Sequence, residues 1–121
     1  MRAVRYHEHG DESVLTVESV DRPEPEPGWA LVRVEAASVN PIDAYVREGN
    51  VSPASGLPHV GGSDLAGVVE AVGEGVAAVE PGDRVFATGL GVFSPGTHAE
   101  YTVAPVDQLA PLPEGVSFRE G

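Results

Sequence analysis

The sequence predicts a mainly β fold, a small and partly open β-barrel with one or two short helices. Three observations predict it. Glycine and proline are frequent, at 15 and 11 of 121 residues, and backbone punctuation on that scale leaves no room for long helices. Apolar and polar residues alternate over several short stretches, which is the period of a half-buried strand. Only one stretch, 41 to 48, carries a full set of helix start and stop signals. With 121 residues and 41% hydrophobic content, the chain is read as one domain that buries a core without disulfide or metal staples.

The elements follow in chain order. A first strand is placed near Ala3, with His7 and His9 on one face of it. Val14 to Val20 alternates, Leu15 and Val17 facing opposite to Thr16 and Glu18. The tract Pro23-Glu24-Pro25-Glu26-Pro27 reads as an extended surface connector. Ala30 to Ala37 alternates more cleanly, Val32, Val34 and Ala36 against Leu31, Arg33 and Glu35, and is expected to share one sheet with 14–20. Glu26-Pro27-Gly28-Trp29 and Glu80-Pro81-Gly82-Asp83 each put proline second and glycine third, the chemistry of a type II turn. Asn40 caps the helix at 41–48, Pro41 suits its first position, Asp43 lies in its first turn and Gly49 ends it. Gly67 to Val72 is expected as a strand ending at Gly73-Glu74-Gly75. A further strand pair is expected at 84–87 and 98–103, joined by the Gly-rich segment Thr88 to Thr97.

Charge narrows the partners. There are 19 acidic residues against 7 basic ones, for a net charge of -12, and all seven basic residues are arginine (2, 5, 22, 33, 47, 84 and 119). Such a surface repels phosphate backbones and anionic headgroups, so neither nucleic acid nor membrane is expected as a partner. An acidic, lysine-free surface fits a halophilic protein, and equally an acidic protein of a GC-rich genome. The charged amino terminus and the lack of a long apolar run point to the cytoplasm. The four histidines suggest no metal cluster, since His59 and His98 lie far apart and no third ligand accompanies His7 and His9; all are read as lone surface or loop residues. No Gly-x-Ser-x-Gly elbow supports a hydrolase.

Two motifs carry the chemistry: Val39-Asn40-Pro41-Ile42-Asp43-Ala44-Tyr45-Val46-Arg47-Glu48-Gly49, and Gly62-Ser63-Asp64-Leu65-Ala66-Gly67-Val68-Val69-Glu70. Together they resemble the medium-chain dehydrogenase/reductases, and specifically the zinc-free NADPH:quinone oxidoreductase branch, the relatives of zeta-crystallin. The resemblance runs from Ala3 to Phe118 and implies that residues 1–121 are a GroES-like catalytic domain. It implies that Asn40 and Ser63 stand where zinc-bearing relatives place a Cys and a His, and the chain has no Cys. It further implies a Rossmann domain beyond residue 121, which would hold NADPH. The chain is accordingly read as a fragment of a homo-oligomeric enzyme passing hydride to a quinone or conjugated carbonyl, the alternative being a naturally short protein. An enoyl or alkenal reductase and a non-catalytic, crystallin-like structural barrel are the other readings.

Each candidate residue has a plainer explanation beside the implied one. Asn40 is a helix cap, or an amide at the bottom of the hydride-transfer cleft that meets the nicotinamide and substrate. Tyr45 is an amphipathic core residue, or a phenol beside the nicotinamide and the quinone. Ser63 is a polar residue of a tight loop, or a hydroxyl replacing a metal ligand. Asp64 organises its loop, and Asp43 serves the helix.

Overall fold

The computed structural model describes residues 1–50, 53 and 56–119. Eight strands and one α-helix follow in the order β1 (Arg2–Tyr6), β2 (Thr16–Ser19), β3 (Trp29–Ala37), α1 (Pro41–Arg47), β4 (His59–Val60), β5 (Leu65–Val72), β6 (Arg84–Ala87), β7 (Tyr101–Pro105) and β8 (Leu109–Pro111), with single 3-10 turns at Glu12–Val14 and Val106–Gln108. They form a three-stranded sheet, β2-β1-β4, and a curled five-stranded sheet, β7-β3-β5-β6-β8, with antiparallel pairing throughout. Residues 98–100 join the two: Ala3 bridges Ala99, while Val4 and Val34 donate their N–H groups to the carbonyls of His98 and Glu100. The end strands β7 and β8 are not paired with each other, so the barrel is a half-barrel open on one side.

Both type II turns are present. Gly28 and Gly82 have φ of 81° and 97°, and each turn closes with an N–H of the fourth residue on the carbonyl of the first. Helix α1 ends one residue before the expected boundary, and β5 begins two residues earlier. The core is the inner face of the large sheet, Val32, Val69 and Val85 with Leu65, Leu90, Ala30 and Ala104.

Several expectations are corrected. Strand β2 belongs to the small sheet and pairs only with β1, not with the sheet of β3. Its apolar face is not buried: Val17 is 69% exposed, and Leu15, which lies before the strand, 37%, while Glu18 is half-buried through its bonds to Arg5 and His7. In β3 the clean alternation holds only after Val32, because Ala30, Leu31 and Val32 are all covered. Strands β6 and β7 do not pair: β6 lies between β5 and β8, and β7 pairs with β3. Length explains the misassignment, since β4 and β8 have two and three residues and too few alternations to read. His7 and His9 lie beyond the end of β1 and share no strand face.

His59 is the largest surprise. It is a core residue, 2% exposed, with Nε2 at 2.7 Å from the carbonyl of Gly91 and its ring edge-on to Tyr6. A carbonyl only accepts, so Nε2 carries the proton in the neutral ring. Burial pushes the His59 pKa below the ordinary value, outweighing the opposing bond to Gly91. In the window below about pH 6.5 the unfolded chain therefore takes up a proton that the native chain refuses. Stability is expected to fall as the pH drops from 7 through that window, and the fall should be missing in H59Q. Denaturant midpoints of the two proteins from pH 7 to 5 check this; parallel curves would refute it.

Tyr6 is equally buried, 1% exposed, and its hydroxyl has no hydrogen-bond partner among the described residues. An unpaired buried hydroxyl costs about 1–3 kcal/mol. Removing it in Y6F is expected to raise stability by about 1 kcal/mol at unchanged packing. Thermal melting reads the gain, and a lowered midpoint would mean that the hydroxyl is satisfied in solution.

Candidate functional site

Strand register assembles the site. Ala37 on β3 pairs with Leu65 on β5, and Leu65 pairs with Ala87 on β6. The strands are antiparallel, so β3 and β6 end where β5 begins. Residues 38, 64 and 88 therefore meet at one end of the large sheet, although 50 positions separate the first from the last. Three residues beyond the end of β3, Asn40 opens α1 from an extended conformation, as a helix cap does. Asp43 closes the capping box by accepting the Asn40 N–H at 2.7 Å, as its expected helix role requires.

Asp64 is the centre of the cluster. Its Oδ2 accepts from Asn40 Nδ2 at 2.8 Å and from Ser38 Oγ at 3.1 Å, and its Oδ1 accepts from Thr88 Oγ1. The second Asn40 hydrogen goes to Ser38 Oγ at 3.0 Å. These donors, Thr88 above all, hold the Asp64 carboxyl below the usual carboxylate range against the opposing effect of burial. Ser63 is buried, accepts the Gly89 N–H on its Oγ at 3.1 Å, and adds to the lowering of Asp64. Asn40 and Ser63 thus come together around one ionised carboxylate.

Tyr45 does not join them. It lies on the exposed face of α1, three residues after Ile42, and is 50% exposed. Its hydroxyl makes no hydrogen bond among the described residues. Ser38 and Thr88 were missed by the sequence reading, and the signal for both is positional, as each directly follows a strand that flanks β5.

Two cavities flank the cluster. One, about 350 Å³, has Ser38, Asp64 and Thr88 on a polar wall and Phe86 and Phe118 among its apolar residues. Arg84 holds that last segment in place: Nη2 donates to the Val116 carbonyl at 2.5 Å, and the guanidinium stacks 4.6 Å from the centre of the Phe118 ring. The other cavity, about 400 Å³, is lined by Tyr6, Val39, Asn40, Arg47 and His98. Among the described residues no three His, Cys, Asp or Glu side chains gather as a metal-binding group, and no helix is long and apolar enough to cross a membrane.

Residues 26–114 match the model of the alcohol dehydrogenase GroES-like domain. The chain belongs to that family. It is 42% identical over 124 residues to the quinone oxidoreductase of Rattus norvegicus, covering all of this chain and 36% of the relative. A trans-enoyl reductase of Fusarium mangiferae is 44% identical over 103 residues, 84% of this chain and 26% of its own length. The solved quinone oxidoreductase of Escherichia coli, complexed with NADPH, superposes with a TM-score of 0.88 at 30% identity, over 98% of this chain and 35% of that one. The chain therefore spans about a third of the length of the oxidoreductases it matches.

Proposed function

We propose that the chain is the GroES-like catalytic domain of a zinc-independent, NADPH-dependent quinone oxidoreductase, in which a Rossmann domain supplies most of the dinucleotide site. The observation that carries the reading is the cluster itself. Asn40 and Ser63, at the positions where the family resemblance puts zinc ligands, make hydrogen bonds suited to an amide and a hydroxyl. An amide nitrogen turned to a carboxylate and a hydroxyl occupied by a backbone N–H do not form a zinc donor set, and the chain has no thiolate.

NADPH would supply the hydride. The chain's own residues would orient the reacting groups and meet the charge that develops on the acceptor oxygen. Without a Lewis acid that charge falls to hydrogen-bond donors, and one such donor is worth about 3 kcal/mol in barrier. Asn40 is fixed at the cluster, its two amide hydrogens engaged by Asp64 and Ser38, and Ser63 holds the loop after β6 through Gly89. The half-exposed ring of Tyr45 offers a planar ligand an apolar face and a hydroxyl that is unbonded among the described residues. The sheet-end cavity, with hydroxyls on one wall and phenyl rings among its lining, fits a flat conjugated carbonyl. The reading places the whole enzyme in the cytoplasm as a homo-oligomer.

The test is an acceptor screen. A gene product containing these residues and a dinucleotide-binding domain is expected to oxidise NADPH with quinones, unaffected by chelator. The 121-residue chain alone is expected to bind NADPH no tighter than the millimolar range and to turn nothing over. Turnover that needs added zinc would overturn the proposal. Reduction of enoyl thioesters without quinone activity would favour the second reading, an enoyl reductase, which the likeness to the fungal enzyme supports. Silence toward all acceptors would leave the structural barrel.

A further inference from the structure

We infer that Asp64 is the positioning residue of the proposed site: its carboxylate gathers the donor hydrogens of Asn40, Ser38 and Thr88 and thereby sets how Asn40 presents its amide. The inference rests on the reading of Asn40 as a ligand contact. A carboxylate that merely organised its own loop would bond to nearby backbone N–H groups. Among the described residues Asp64 does not: its bonding partners are side chains, drawn from the segment after β3, the start of α1 and the segment after β6. The loop's backbone need is met by Ser63, through Gly89.

The geometry leaves Asn40 one orientation. An ionised carboxylate only accepts, so the side of Asn40 facing Asp64 is the NH2 side. Its second hydrogen is taken by Ser38 Oγ, whose own hydrogen returns to Asp64 Oδ2, closing a ring of three side chains. Turning the amide over would lose both bonds and set two oxygens against each other. The low pKa of Asp64 fits this role and not that of a proton donor at neutral pH.

A chemical consequence follows for the ligand. With every Asn40 hydrogen engaged, an acceptor oxygen entering the sheet-end cavity finds its mobile donors in Ser38 and Thr88. Both are exposed, both line that cavity, and each reaches the ligand by rotating one hydroxyl away from Asp64. Asn40 then acts as a fixed element, held by the same carboxylate that releases the hydroxyls.

The chain contains three side-chain carboxamides, Asn40, Asn50 and Gln108, so its 15N spectrum holds three NH2 pairs. The Asn40 pair is expected to exchange with solvent about tenfold more slowly than the other two, and to lose that protection in D64N, whose own NH2 must oppose one of the donors. An Asn40 pair unchanged in D64N overturns the inference. S38A, at an exposed position, is the second variant and guards against a misfolded D64N. There, one Asn40 hydrogen should lose protection and the other keep it; loss of both or of neither also overturns the inference. Titrating NADPH to tens of millimolar, above the weak binding expected of the chain alone, into the same samples separates the two readings. A shift of the Asn40 pair in wild type that is absent in D64N supports both. A protected pair that NADPH never moves removes the ligand contact but keeps the positioning, whereas equal shifts in both proteins keep the contact and refute the positioning.

Discussion

Replacing Gly67 with alanine is expected to remove about 3–4 kcal/mol from a domain whose whole stability is on the order of 5–15 kcal/mol. Gly67 has a φ open to any residue, so the cost is steric. It lies in the middle of β5, between Val34 of β3 and Val85 of β6, beside the register shift between Val34 and Ala36. That irregularity brings the neighbouring backbone close: a Cβ on Gly67 would lie 2.2 Å from the Arg33 carbonyl oxygen and 3.0 Å from Val32 Cγ1. The oxygen belongs to backbone and cannot swing away, so β3 and β5 must separate at the centre of the core. For a domain of this size a melting midpoint lower by about 10–15 °C is the expected reading. G75A is the control. Gly75 has φ of 81° but nothing within 4 Å of an added Cβ, so only the left-handed strain of about 1–2 kcal/mol applies. Equal losses in the two variants would show that close packing is not what singles out Gly67.

G96A is expected to cost about 3 kcal/mol and, unlike G67A, to act directly on the site. Segments 60–62 and 96–98 run backbone against backbone. Gly96, Thr97 and His98 donate to the carbonyls of Val60, Gly62 and Gly61 at 2.8, 3.3 and 3.0 Å. An added Cβ on Gly96 would stand 2.1 Å from the Gly61 oxygen and 2.5 Å from that of Val60. Relief requires the two segments to part, and the next residues after Gly62 are Ser63 and Asp64. Hydrogen exchange is therefore expected to speed up together at the amides of residues 96–98 and of Gly89, whose partner is Ser63. Faster exchange at 96–98 with Gly89 unchanged would break the link drawn between this crossing and the site.

What the sequence made legible was local. The two turns could be read because proline and glycine fix backbone angles within four residues, and α1 because Asn40, Pro41, Asp43 and Gly49 mark its ends within ten. Strand pairing could not be read, since which strand lies beside β6 is decided by core packing across the sheet and not by residues 84–87. The same holds for His59, whose burial depends on Tyr6 and Gly91 arriving from distant segments. At the site, Asn40 and Ser63 were visible through their motifs. Ser38 and Thr88 were not, because only the register of β3, β5 and β6 brings positions 38, 64 and 88 together. Tyr45 was visible too, but its position on the exposed face of α1 follows from how the helix docks, which its own seven residues do not specify.

The clamp made by Arg84 gives the segment after β8 a mechanical role. The Leu112 N–H bonds the Arg84 carbonyl, and the Arg84 side chain grips Val116 and Phe118, so residues 112–119 are fastened at both ends to a single residue of β6. Tension applied at residue 119 reaches β6 through that fastening. Because β6 is flanked by β5 and β8, the load is borne as shear across two hydrogen-bonded neighbours and not as the peeling of an edge. Thr88 lies four residues along the same strand direction, with its hydroxyl on Asp64. The segment carrying Phe118 and the carboxylate of Asp64 are thus fastened to opposite ends of one short strand, the first through Arg84 and the second through Thr88.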